Sequence, residues 1–122
     1  MLRALTLAAL LIVTALPVTA GHKEGIAAYN RGDYRTALRA FKPLAAGGYA
    51  KAQLFLGVMY AKGRGVQRNY VLAYLWWSLA AAQSNKNAAT KLGLIEMRMT
   101  RADVSRAQAM AAKWRPSLCL LR

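Results

Sequence analysis

The sequence predicts an all-α protein: a short right-handed α-solenoid of antiparallel helix-turn-helix repeats. Three observations lead there. The chain repeats itself at a spacing of 36 residues: Asp33-Tyr34-x-x-Ala37-Leu38-x-x-Phe41 returns as Asn69-Tyr70-x-x-Ala73-Tyr74-x-x-Trp77, Leu56-Gly57 as Leu92-Gly93, and Ala52 as Ala88. A period of that length marks stacked helical hairpins, none of which buries its apolar face alone. Apolar residues recur at helical spacing, as with Ala52, Leu56 and Tyr60, which share one helix face. Polar caps and glycine turns separate these runs, and no stretch reads convincingly as a strand.

The elements follow in order. Residues 1–20 are expected to be a cleavable export signal. Arg3 supplies the cationic start, residues 5–16 are apolar apart from threonines, Pro17 ends any helix, and Val18-Thr19-Ala20 offers small residues for cleavage before Gly21. That apolar core is too short to span a bilayer, which needs roughly 20 residues. The repeat domain then covers residues 21–116, and residues 117–122 form a flexible tail. Within the domain, a short helix over residues 23–31 stops at Asn30-Arg31-Gly32. Asp33 caps a second helix running to residue 46, where Pro43 predicts a kink or early fraying over residues 39–43 because its ring lacks an amide donor. Gly47-Gly48 ends it. A third helix spans residues 50–62, and Gly63-Arg64-Gly65 turns the chain through positive backbone angles. Asn69 caps a fourth helix to about residue 83, and Ser84-Asn85 starts a fifth to about residue 98. Thr100 and Asp103 have the form of a capping box for a last helix that reaches Trp114 before Pro116.

The middle of the chain carries a resemblance. Ala50-x-Ala52-x-x-x-Leu56-Gly57-x-Met59-Tyr60-x-x-Gly63-x-Gly65-Val66, followed by Tyr70, Ala73, Trp77 and Ala80-Ala81, resembles the Sel1-like repeat, a helix-turn-helix unit related to tetratricopeptide repeats. A half-degenerate copy precedes it and a truncated one follows. The residues explain the pattern physically. Gly57 lets a partner helix approach, and Ala73, Trp77 and Ala80-Ala81 supply the answering face. Tyr34, Phe41, Tyr70, Tyr74, Trp76 and Trp77 are most simply core and inter-repeat packing.

Catalytic chemistry finds no foothold. The single histidine, His22, lies near the expected mature terminus, where it is expected to be solvated. Glu24, Asp33, Glu96 and Asp103 are the only acids and fall on separate caps and helix ends, so no carboxylate pair for acid–base work is suggested. Gly63-Arg64-Gly65 lacks the continuation of a phosphate loop. No catalytic, cofactor-binding or metal-ligating residues are assigned, and no small-molecule substrate is implied. Cys119 is the only cysteine, so the disulfide-per-repeat pattern of some exported relatives is absent and any activity proposed for them does not carry over.

Two functions remain open. The chain carries 18 basic and 4 acidic residues, a formal net charge of +14. Such a field favours polyanions, although nucleic acid is not the expected partner of an exported protein. The first reading is a periplasmic or secreted scaffold that binds a protein or peptide along a concave helical surface. The alternative is a basic protein that binds an anionic envelope component. For the first, helical rotation sends Leu54 and Val58 away from the hairpin interior, with Lys51, Phe55 and Lys62 alongside, and Thr90, Leu94 and Arg98 one period later. These eight residues are the expected partner-binding stripe. The competing reading of the stripe is core covered by the C-terminal helices.

Overall fold

Side-chain caps start four of the helices. The computed structural model describes residues 18–116, which form six α-helices and no strand. The leader up to Pro17 and the tail bearing Cys119 lie outside the described residues. The helices are α1 (Val18–Asn30), α2 (Tyr34–Ala46), α3 (Ala50–Lys62), α4 (Tyr70–Ala82), α5 (Lys86–Glu96) and α6 (Arg101–Lys113). Asp33 accepts a hydrogen bond from the Thr36 amide at 3.2 Å, and Asn69, one period later, accepts from Leu72 at 3.1 Å. Asn85 accepts from Ala88 at 2.9 Å and Thr100 from Asp103 at 3.1 Å. Each cap satisfies an amide that the first helical turn leaves without a partner. The capping box at Thr100 is only half formed, because the Asp103 carboxylate turns to Arg106 at 2.9 Å.

Three boundaries differ from expectation. α1 begins at Val18, so helical backbone runs through the expected Ala20–Gly21 junction instead of starting at Lys23. α5 ends at Glu96, two residues early. α2 passes Pro43 without interruption and closes only at Gly47, whose amide reaches the Pro43 carbonyl at 3.0 Å. Pro43 and Arg39 are exposed. The Arg39 carbonyl, which a proline four residues on leaves without a donor, belongs to a helix face that water reaches.

Packing follows the hairpin logic for the first four helices. α1 lies against α2, α2 against α3, and α3 against α4, with α5 continuing on α4. One core joins Ala28, Ala37, Phe41, Ala45, Ala52, Leu56 and Met59; a second joins Ala73, Tyr74, Trp77, Ala80, Ala88, Ile95 and Ala107. The joint of the α3–α4 hairpin is Gly57 beneath Trp77. A Cβ at Gly57 would fall on the indole, with Cε2 2.8 Å away and Nε1 and Cδ1 closer still. The indole N–H donates to the Leu54 carbonyl at 3.0 Å.

α6 departs from the hairpin scheme. It packs on α4 and makes no extensive contact with α5. Tyr74 holds it there: its hydroxyl donates to Glu96 at 2.8 Å and accepts from Gln108 Nε2 at 3.3 Å, tying α4, α5 and α6 together. Trp114 meets Trp76 edge-on, centroids 6.5 Å apart.

His22 corrects the expectation of a solvated histidine. It is 8% exposed and sits among Phe41, Tyr49 and Phe55, with ring centroids 5.2–5.8 Å away. Its Nδ1 has no hydrogen-bond partner among the described residues. Burial, and secondarily the positive charge of Lys51, holds the imidazole below its ordinary pKa of 6.5. A lowered folded-state pKa means that the unfolded chain binds the proton more readily. The stability this neutral histidine confers is therefore complete above pH 6.5 and is lost as pH falls from there through the lowered folded value.

Two outcomes are expected. Melting temperature should fall as pH drops below 6.5 in the native protein, and His22→Phe should flatten that limb; an unchanged slope in the variant would assign the loss to other groups. Gly57→Leu should destabilise by about 1–3 kcal/mol through overpacking against Trp77. Gly93→Ala, at the equivalent position of α5, should instead stabilise by up to about 1 kcal/mol through helix propensity, because, apart from the neighbouring backbone of α5 itself, a Cβ there meets no described atom within 4 Å. Chemical denaturation of both variants checks the pair.

Candidate functional site

α3 and α5 occupy equivalent places in successive repeats, so the same helical faces of both line one side of the molecule. Between them lies an open depression of about 370 Å³ lined by Leu54, Phe55 and Val58 from α3 and Asn87, Thr90, Lys91 and Leu94 from α5. A second, of about 440 Å³, adjoins it where α3, α4 and α5 meet. Ala61, Lys62, Tyr70, Trp77, Lys91, Leu94, Ile95, Met97 and Arg98 line that one, and Lys91 and Leu94 belong to both. Together they make one groove.

Of the eight residues expected in the binding stripe, Leu54, Phe55, Val58, Thr90 and Leu94 line the first depression, and Lys62, Leu94 and Arg98 the second. Lys51 lines neither. It is exposed at the N-terminal end of α3, close enough to His22 to influence its charge. Phe55 has two roles, since its ring also stacks on Phe41 at 4.9 Å and meets Tyr29 and His22 edge-on. Leu54 and Val58 remain half-buried, and Leu94 is 61% exposed. The C-terminal helix α6 lies on α4 instead of over this stripe.

Sequence reasoning missed Lys91, Asn87 and Met97. Lys91 is the most informative: its ammonium stands 5.7 Å from the Trp77 ring centroid, a cation–π placement that sets a positive charge at the centre of the groove. Its signal was present, because it lies one position after Thr90, on the flank of the same stripe. The electrostatics are one-sided. Lys62, Lys91 and Arg98 line the groove with no carboxylate among the lining residues, and Glu96 is engaged by Tyr74. The arrangement offers apolar anchors between fixed cations. Among the described residues, no cluster of three or more histidine, cysteine or acidic residues forms a metal cage, and no helix is long and apolar enough to cross a membrane.

A protein built from antiparallel helical pairs at a 36-residue period, with glycine-and-ring joints, is a helical repeat scaffold. Residues 50–85, which make up α3, α4 and their turn, match the family model of the Sel1 repeat, so the chain contains a Sel1-like repeat. It is also similar to the alginate biosynthesis protein AlgK of Pseudomonas aeruginosa, 33% identical over 83 residues that cover 62% of this chain. The match spans 18% of that relative's length. Sel1 repeats generally mediate protein–protein interaction, and proteins built from them are typically non-catalytic scaffolds.

Proposed function

We propose that this protein is an exported adaptor that holds a protein or peptide partner in the groove between α3 and α5. The observation that carries this is the composition of that groove: half-buried Leu54 and Val58 and exposed Leu94 beside Lys62, Lys91 and Arg98, with no acidic residue in the lining. Exposed apolar side chains supply anchors that lose water on contact, and rim cations steer and orient the partner. A peptide with apolar residues and acidic flanks fits these requirements. Export rests on the leader, whose charge, apolar length and small residues before Gly21 suit cleavage there.

A second reading has its own observation. Arg35, Arg39 and Lys42 are exposed along one side of α2, spaced as successive turns of a helix. That stripe suits an anionic envelope component and lies on a different helix from the groove.

Capture of partners by tagged protein from cell envelopes, at low and high salt, separates the two. Reversing Lys62 and Arg98 to glutamate should weaken groove-dependent capture at least several-fold without lowering the melting temperature. Retained capture with loss of fold would overturn the groove reading. Loss only on reversing Arg35, Arg39 and Lys42 would favour the envelope surface. For export, intact-mass measurement of the exported product should find Gly21 as the first residue, and retention of residues 1–20 would replace cleavage by anchoring.

A further inference from the structure

The repeats share one joint, and the third repeat leaves it unfilled. In the first hairpin, a Cβ on Gly25 of α1 would lie 2.6 Å from Phe41 Cε1 and 2.8 Å from Cζ. In the second, Gly57 of α3 lies under the Trp77 indole. The rule is the same both times: the first helix of the pair presents a glycine, and the second lays a large ring on it. α5 presents the glycine again at Gly93, 36 residues after Gly57, yet the eighth residue of α6, the place that Phe41 and Trp77 hold in α2 and α4, is Gln108. α6 has gone to α4. Apart from the neighbouring backbone of α5 itself, nothing among the described residues comes within 4 Å of where a Gly93 Cβ would stand.

The surroundings of that notch are apolar and open. Four-residue spacing puts Ala89, Gly93 and Met97 in one row along α5, with Leu94 at its side. Met97 is 83% exposed and Leu94 61%; both are among the few large apolar side chains that the described surface shows to water. Ala88 and Ile95, on the opposite face, are the residues that bind α5 to the core. The row therefore corresponds to the face that α3 turns toward α4.

We propose that this face of α5 is a seat for an acidic helix from a partner protein, which inserts a large aromatic side chain at Gly93. The precedents within the chain specify the occupant. α2 and α4, the elements that fill the two equivalent joints, are helices, and the side chains they insert are Phe41 and Trp77. Charge specifies the sign: Lys86, two turns before Gly93, stands in the same row, whereas the helix's only acid, Glu96, already accepts from the Tyr74 hydroxyl. An acidic helix gains attraction on docking, and a basic one meets repulsion. The partner completes the third hairpin from outside. This seat goes beyond the α3–α5 groove and shares only an edge with it, at Leu94 and Met97.

The test uses a synthetic stapled helix of about 16 residues, about the length of the helices it imitates, with a central tryptophan and glutamates one turn to either side. Its fluorescence anisotropy is followed against the full chain. Saturable binding is expected, weakened at least tenfold when the peptide's tryptophan becomes alanine and again when its glutamates become lysines. Gly93→Leu, which fills the notch, and Met97→Glu should each weaken binding at least tenfold with helicity and melting temperature preserved. Val58→Glu, inside the groove, should leave it intact and should impair only groove capture. Equal binding of the alanine peptide would overturn the proposal, as would loss on Val58→Glu alone. Concentration-dependent dimerisation abolished by Met97→Glu would assign the seat to a second copy. Tighter peptide binding after removal of residues 117–122 would assign it to the chain's own tail. Either assignment overturns a partner helix as the occupant.

Discussion

Everything on the groove side of the molecule depends on the Trp77 indole resting on Gly57. The missing side chain brings α4 close to α3, and the hydrogen bond from the indole to the Leu54 carbonyl fixes the ring's orientation. Since α5 packs on α4, the distance between α3 and α5 is set through the same joint. One ring thus determines both how tightly the repeat closes and how wide its groove stands. It also supplies the aromatic surface near which Lys91 is held, so the charge at the centre of the groove depends on the packing beneath it.

A second constraint works at the other end of the hairpin. Gln53 is fully buried on α3, a position where an unpaired amide would cost about 1–3 kcal/mol. It donates to the Ala45 carbonyl at 3.1 Å and accepts from Gln83 Nε2, which also reaches the Gly48 carbonyl at 2.8 Å. The end of α2, the body of α3 and the end of α4 are thereby joined by polar bonds with defined directions. Apolar packing tolerates small slides between helices, whereas a satisfied buried network does not. Glycine-and-ring contact sets the separation at the middle of the hairpin, and the glutamine pair sets the register at its end.

How legible this was in the sequence depends on the range of the interaction. Helix starts were readable because a cap bonds an amide only three residues away, as Asp33, Asn69, Asn85 and Thr100 do. The Gly57–Trp77 joint was readable because the 36-residue repeat preserved both partners. Gly25 escaped notice for a simple geometric reason. The connection before α2 comprises residues 31–33, whereas that before α4 comprises residues 63–69, so the glycines of the first two repeats stand 32 residues apart while their rings stand 36 apart. His22 was misread because proximity to the expected mature terminus says nothing about what folds over it. The stripe through Leu54, Val58, Thr90 and Leu94 followed from helical rotation alone, whereas Lys91's place above Trp77 required knowing where the ring lies.

The departure of α6 from α5 explains why the repeat stops being regular where it does. The eighth residue of α2 and of α4 is a ring, Phe41 and Trp77, whereas that of α6 is Gln108, which offers Gly93 no ring and bonds the Tyr74 hydroxyl instead. α6 carries small residues toward the core, Ala107 being fully buried, and Trp114 at its end finds Trp76. α4 can receive it because Tyr74 presents a hydroxyl that bonds Gln108 while holding Glu96 of α5. The helix thus caps the second core at the expense of the third hairpin. A solenoid that ends this way covers the apolar surface of α4, leaves α5 with one face packed and one open, and keeps the α3–α5 groove uncovered. The loss of the aromatic ring from the eighth position of the last helix therefore accounts for both the end of the packing pattern and the surface available to a partner.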